Sequence, residues 1–218
     1  MNLRNYIRFT PSYKRIINLF NQDLIKVDHC AVRSFNPLKT HQILTNYKIQ
    51  SDIYEFPKHH AKARWYLNLD QKIPRVFASS YQNSFYDKSS IDPVLIQYLI
   101  DNPNKITYQE YQSIHEKNPY LAWTLLFRNK INHVAFEVKD IQEFTEKVSK
   151  EFLLNNSDNP IQISEDKKIL QSSIKADMMK YKFYDKEERV PFAFVEFIER
   201  HREGFETQNA NEIFKSTN

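Results

Sequence analysis

Val27-Asp28-His29-Cys30-Ala31-Val32-Arg33-Ser34-Phe35 and Ile131-Asn132-His133-Val134-Ala135-Phe136-Glu137-Val138 are two versions of one segment. Each runs from a β-branched residue through Asp or Asn to His, then into a small and apolar run, the composition of a buried strand. After the first copy, Pro37 stands where a helix can begin, and residues 38–47 read as a short helix. Strands follow at 52–56, 64–69 and 75–79. After the second copy, Asp140 is a natural N-cap for a helix over 141–152. A polar loop at 155–160 precedes strands near 169–173, 179–184 and 192–198, the last two joined by a charged turn at 185–189. Both halves are therefore β-α-β-β-β modules, and a duplicated pair of them points to an α+β fold in which two sheets form an incomplete barrel around one cleft.

Outside the two copies the chain changes character. Ile16, Ile17, Leu19, Phe20 and Leu24 recur at helical spacing, so residues 12–25 read as an opening helix. Residues 92–99, 107–117 and 120–127 also read as helices, with the breaker cluster Asp101-Asn102-Pro103-Asn104 between the first two. The expected organisation is one domain over residues 1–218. It comprises a first module at 27–80, a helical insertion at 84–128, a second module at 131–199 and a polar tail at 200–218 that can dock through Phe205, Ile213 and Phe214.

Composition narrows the function classes. With 41% hydrophobic and 27% charged residues in 218, the chain can bury a real core. No run approaches the roughly 20 apolar residues of a membrane span, and the first residues carry no secretory signal pattern. The 31 basic and 27 acidic side chains are scattered, with no basic block of the kind that marks a nucleic-acid surface. A single glycine rules out both a Walker A loop and a dinucleotide fingerprint. The lone cysteine, Cys30, excludes an internal disulfide and any multi-cysteine metal site. It reads as a small buried hydrophobe in a cytoplasmic protein.

Strand parity then selects candidate chemistry. Alternate residues of a strand share a face, so His29, Ala31 and Arg33 point one way, with Arg33 about 7 Å beyond His29. His133 and Ala135 share a face in the second copy. Glu196, within Phe192-Ala193-Phe194-Val195-Glu196-Phe197-Ile198, is an acid in an apolar strand and needs a compensating cation. His29, His133 and Glu196 would form a facial triad, an arrangement that suits non-haem Fe(II). A guanidinium at Arg33 suits bidentate capture of a carboxylate. The bland alternative is that each strand histidine is a hydrogen-bonded core or edge residue, the reading given to His41, His59, His60, His115 and His201. Glu199 and Arg200 read as an exposed pair at a strand end. The pattern alone leaves iron, manganese, nickel and zinc open.

The segments Asp28-His29-Cys30-Ala31-Val32-Arg33, Asn132-His133-Val134-Ala135, Leu170-Gln171-Ser172-Ser173 and Phe194-Val195-Glu196-Phe197-Ile198-Glu199-Arg200 resemble the 2-oxoadipate dioxygenase/decarboxylase (hydroxyglutarate synthase) family. So does the tail, with Gly204-Phe205-Glu206, Asn209-Ala210-Asn211, Ile213-Phe214 and Ser216-Thr217. The resemblance implies a vicinal-oxygen-chelate-like fold and Fe(II) held by His29, His133 and Glu196. It also implies a substrate carboxylate on Arg33, which is counted as a catalytic as well as a binding residue, with Arg64 and Arg75 as second choices. Gln171 and Ser173 are further candidates to orient substrate. The implied reaction is decarboxylation and hydroxylation of a 2-oxo acid by O2, 2-oxoadipate giving 2-hydroxyglutarate and CO2, with a place in lysine catabolism. Two alternatives stand beside it. One is an isomerase, lyase or hydrolase of the same fold using another divalent metal as Lewis acid. The other is a non-catalytic module that a metal stabilises.

Overall fold

The computed structural model describes residues 11–20, 24–35, 47–49, 54–56, 61–68, 75–81, 91–128 and 130–202. The first module contributes β1 (Leu24–Ser34), β2 (Tyr47–Ile49), β3 (Tyr54–Phe56), β4 (Ala61–Asn68) and β5 (Arg75–Tyr81). The second contributes β6 (Lys130–Val138), β7 (Gln162–Ile163), β8 (Ile169–Ser173), β9 (Asp177–Lys182) and β10 (Glu187–Arg200). They join in one open sheet, ordered β2-β4-β5-β1-β6-β10-β8-β7, with β3 on β4 and β9 on β10.

That order is a palindrome about the β1–β6 seam. β1 runs parallel to β5, and β6 runs parallel to β10. Each parallel partner is then flanked by an antiparallel strand, β4 or β8. The seam is antiparallel and pairs His29 with Ala135 and Ala31 with His133, so a local two-fold axis passes between the two histidines. The α+β class stands as predicted, with the two expected sheets joined into one.

Five α-helices and one 3-10 helix (Pro103–Lys105) complete the described elements: α1 (Pro11–Phe20), α2 (Pro93–Asp101), α3 (Tyr108–Lys117), α4 (Pro119–Phe127) and α5 (Ile141–Val148). Their starts follow sequence chemistry. Asp92, Thr107, Asn118 and Asp140 each accept a backbone N–H of the helix they precede, and Thr107 forms a capping box with Glu110. α4 is buried on nearly every side, as an apolar helix must be. It packs on β1 and β10, with Trp123 Nε1 donating to the carbonyl of Phe192. α1 lays Tyr13 against Phe136 and buries Ile16 completely. No helix among the described residues is long and apolar enough to cross a membrane.

Several boundaries differ from expectation. α1 ends at Phe20 because the chain enters β1 at Leu24. α5 stops at Val148, where Ser149 N donates to Thr145 O and the chain turns. β2 and β7 are strands of three and two residues, too short to show a period of two. β10 begins at Glu187 and not at Phe192, so Glu187–Arg189 belongs to a strand rather than to the turn. Pro191 hides that strand in the sequence. It is tolerated because the strand pairs with β9 there and shifts register between Pro191 and Ala193. Tyr47, the last residue of the helix expected at 38–47, instead begins β2, while His41 and the rest of residues 38–46, His59, His60 and the tail beyond Arg202 lie outside the described residues.

Candidate metal centre

The site grows from the seam. Nε2 of His29 lies 3.3 Å from Nε2 of His133, and His133 Nε2 lies 3.2 Å from Glu196 Oε2. One ligand atom from each of the three side chains falls within 4.8 Å of the others. All three residues are buried, 2%, 6% and 2% exposed for His29, His133 and Glu196. Glu196 arrives because β10 pairs with β6 in a register that sets it beside Ala135, one alternation from His133. The palindrome makes Phe77, beside Ala31 on β5, the counterpart of Glu196. In register, the duplication therefore supplies two histidines but one carboxylate.

The ring of contacts around the triad fixes its donors. His29 Nδ1 is 2.7 Å from Asp28 Oδ2. Arg200 clasps the same carboxylate, with Nε donating to Oδ1 at 2.7 Å and Nη2 to Oδ2 at 2.9 Å. Burial would push the Asp28 carboxyl up, but the hydrogen bonds from His29 and Arg200 overcome it and hold the group far below the usual carboxylate range. His133 Nδ1 faces the neutral Asn132 Oδ1 at 3.3 Å, and its ring stacks on Phe194 at 4.6 Å. Burial, helped by the nearby His29 and Arg33, lowers its pKa well below the ordinary value, so at neutral pH it is the uncharged imidazole that ligates metals. Gln171 Nε2 donates to Glu196 Oε1 at 2.6 Å. Burial raises the Glu196 pKa, with His29 and Gln171 acting against it.

Arg33 is buried beside this cluster. Its guanidinium carbon sits 4.7 Å from the Tyr120 ring centre and 5.3 Å from that of Trp123, both on α4. Burial lowers its pKa to about 10 despite the opposing influence of Tyr120. Ser173 is paired in register with Glu196, and its hydroxyl accepts Asn155 Nδ2 at 2.8 Å. Arg75 is opposite His29 and Arg64 opposite Ala78 in the sheet. Of the other described histidines, His115 lies tilted against the Tyr111 ring and His201 pairs at the surface with Glu199.

One expectation fails. Arg200 is not an exposed partner of Glu199: its side chain is 6% exposed and engages Asp28, a contact 172 positions away in sequence. Glu199 instead accepts the Ile141 N–H at the start of α5. Sequence reasoning also passed over Asp28 and Asn132 as partners of the histidines they precede. The signal was present, because the echo includes the Asp or Asn as well as the His. A register shift in the seam between Val27 and His29 accompanies the meeting of the adjacent Asp28 and His29 side chains.

The donor set fits a divalent cation. If both Nδ1 atoms donate to their neighbours, both Nε2 lone pairs and a carboxylate oxygen converge with no proton between them, which a buried site tolerates only around positive charge. Adjacent ligands of an ion with metal–ligand distances of about 2.1 Å lie about 3 Å apart, close to the two separations measured from His133 Nε2. Two imidazoles and one carboxylate, without thiolate, hold any of several first-row ions.

The family described as 2-oxoadipate dioxygenase/decarboxylase matches residues 82–201, more than half of the chain, a span that contains His133, Gln171, Ser173 and Glu196. The 2-oxoadipate dioxygenase/decarboxylase, chloroplastic, of Arabidopsis thaliana is 24% identical over an alignment covering 97% of this chain and 74% of the relative. The crystal structure of hydroxyglutarate synthase from Oryza sativa, in complex with 2-oxoadipate, superposes with a TM-score of 0.84 at 24% identity, covering 98% of this chain and 88% of that one. A putative glyoxalase superfamily protein from Ralstonia eutropha shares the fold at TM-score 0.68 and 16% identity, covering 92% of this chain and 81% of that one. The chain belongs to the 2-oxoadipate dioxygenase/decarboxylase family.

Proposed function

We propose that this protein is an Fe(II)-dependent dioxygenase that decarboxylates 2-oxoadipate and hydroxylates the shortened acid, giving 2-hydroxyglutarate and CO2 for each O2 consumed. The observation that carries the reading is the buried convergence of His29, His133 and Glu196 in a chain of this family. His29, His133 and Glu196 would hold the ion. Fe(II), when bound, supplies electrons for the reduction of O2 and a Lewis-acidic centre for the 2-oxo acid.

The chain's own residues bind and orient. Arg33 takes the distal carboxylate, its plane held by the faces of Tyr120 and Trp123 before substrate arrives. Gln171 fixes Glu196 through Oε1, which leaves Oε2 turned toward His133. Gln171 Oε1 has no hydrogen-bond partner among the described residues and is an acceptor for a substrate or product hydroxyl. The Ser173 hydroxyl, accepting from Asn155, keeps its own proton to donate to a substrate oxygen. Burial of the cluster excludes bulk water and strengthens each of these contacts.

The division into modules at 27–80 and 131–199, an insertion at 84–128 and a tail is part of the same proposal, since one site draws on both modules and on α4. A cytoplasmic location and a role in lysine catabolism are proposed with it. Anaerobic loading with Fe(II), followed by O2 and 2-oxoadipate, is expected to yield CO2 and 2-hydroxyglutarate in equal amounts. Turnover that proceeds without O2, or full activity in His133→Ala, would overturn the assignment.

A further inference from the structure

The two histidines are not equivalent, and the difference lies one residue upstream of each. Asp28 gives His29 a charged acceptor at 2.7 Å, whereas Asn132 gives His133 a neutral one at 3.3 Å. Asp28 is itself pinned by two hydrogen bonds from Arg200. Arg200 stands four residues beyond Glu196 on β10, and β6 lies between β10 and the strand that carries Asp28. The clasp thus crosses the seam and ties the strand of the carboxylate ligand to the strand of the first histidine. An ion pair this buried costs desolvation and is weak evidence for a stability role on its own. What it does achieve is orientation: a carboxylate fixed on Nδ1 selects the Nδ1–H tautomer and turns the Nε2 lone pair toward Glu196 and His133.

We propose that Asp28 and Arg200 form a positioning pair that presets His29 as the dominant nitrogen ligand, leaving His133, held by Asn132 and the Phe194 ring, as the weaker and more adjustable one. The inference rests on the metal reading above. A single strongly anchored histidine would keep the ion in place while the other side of the site adapts to substrate.

Two measurements test it. In metal-free wild-type protein, long-range 1H–15N correlation spectra are expected to show His29 as one tautomer, protonated at Nδ1. His29 protonated at Nε2 would overturn the proposal without any variant. Chelator competition, with Fe(II) under anaerobic conditions and with Co(II) in air, then reads affinity. Asp28→Asn is expected to lose about 10–100-fold in affinity for both ions, with His29 becoming a mixture of tautomers. Where Asp28→Asn does not fold, the double variant Asp28→Leu/Arg200→Leu leaves neither buried charge uncompensated and is expected to show the same loss. A folded variant with wild-type affinity overturns the positioning role. Wild-type protein that binds neither ion overturns the metal reading itself, a different result from the same titration.

Discussion

Replacing Arg33 by Met separates what this residue does for the fold from what it does for substrate. Burial holds its pKa at about 10 against an ordinary 12.5, a net penalty on the charged form of about 3 kcal/mol. Stacking on Tyr120 and Trp123 returns about 1–2 kcal/mol. Met has similar length, carries no charge and still fills space against α4. The substrate-free protein is therefore expected to change stability by no more than about 1–2 kcal/mol in either direction, measured by urea unfolding. The effect on 2-oxoadipate is larger. A desolvated charge pair truncated on one side costs about 2–5 kcal/mol, so kcat/KM should fall about 30-fold to several thousandfold. The loss should sit mainly in KM, because a distal carboxylate is held alike in ground and transition states. The control is 2-oxohexanoate, which has the same carbon chain without the distal carboxylate. Its kcat/KM should move by no more than about threefold, since it makes no use of the guanidinium. An equal loss for both acids would refute the reasoning and reassign Arg33 to holding the metal cluster in shape.

Three further outcomes follow from the same geometry. Gln171→Leu removes the donor to Glu196 Oε1, and metal affinity by chelator competition should drop about tenfold or more, with the fold intact by circular dichroism. Removing metal should lower the melting temperature: an ion at about 1,000 times its Kd stabilises the folded state by about 4 kcal/mol, or about 8–16 °C for a chain of this size. No shift on chelation of metal-loaded protein would contradict a folded-state site. Lys167 sits at φ 56 in the turn before β8, a left-handed conformation occupied by a side-chain-bearing residue in a chain with one glycine. Lys167→Gly should stabilise the protein by about 0.5–1 kcal/mol in denaturant melts, the relief of steric strain exceeding the entropy cost of glycine.

The division between local and non-local information runs through particular residues. The strands around His29 and His133 are legible because buried β-rich runs bounded by polar turns read as strands wherever they stand, and the repeat of the same pattern gives the two modules. Helix starts at Asp92, Thr107 and Asp140 are legible because an N-cap acts on its own next few residues. Parity puts Arg33 with His29, and an acid between phenylalanines marks Glu196 as needing a partner. β2 and β7, by contrast, owe their existence to the strands beside them, and β10 extends past Pro191 only because β9 pairs with it.

Arg200 shows where sequence reading stops. At the end of a strand beside Glu199 it has the local signature of a solvated charge, and nothing nearby in sequence contradicts that. The palindromic sheet brings β10 within reach of Asp28 across β6, and a buried carboxylate there gives the guanidinium an environment that no window of sequence contains. The sequence by itself determined the ligand types, their strands and the duplication, because those depend on side-chain chemistry and the two-residue period. Tertiary structure alone decided that the three ligand atoms meet and that Asp28 rather than Asn132 carries the clasp. Those depend on strand order and register, which are set by the packing of the whole sheet.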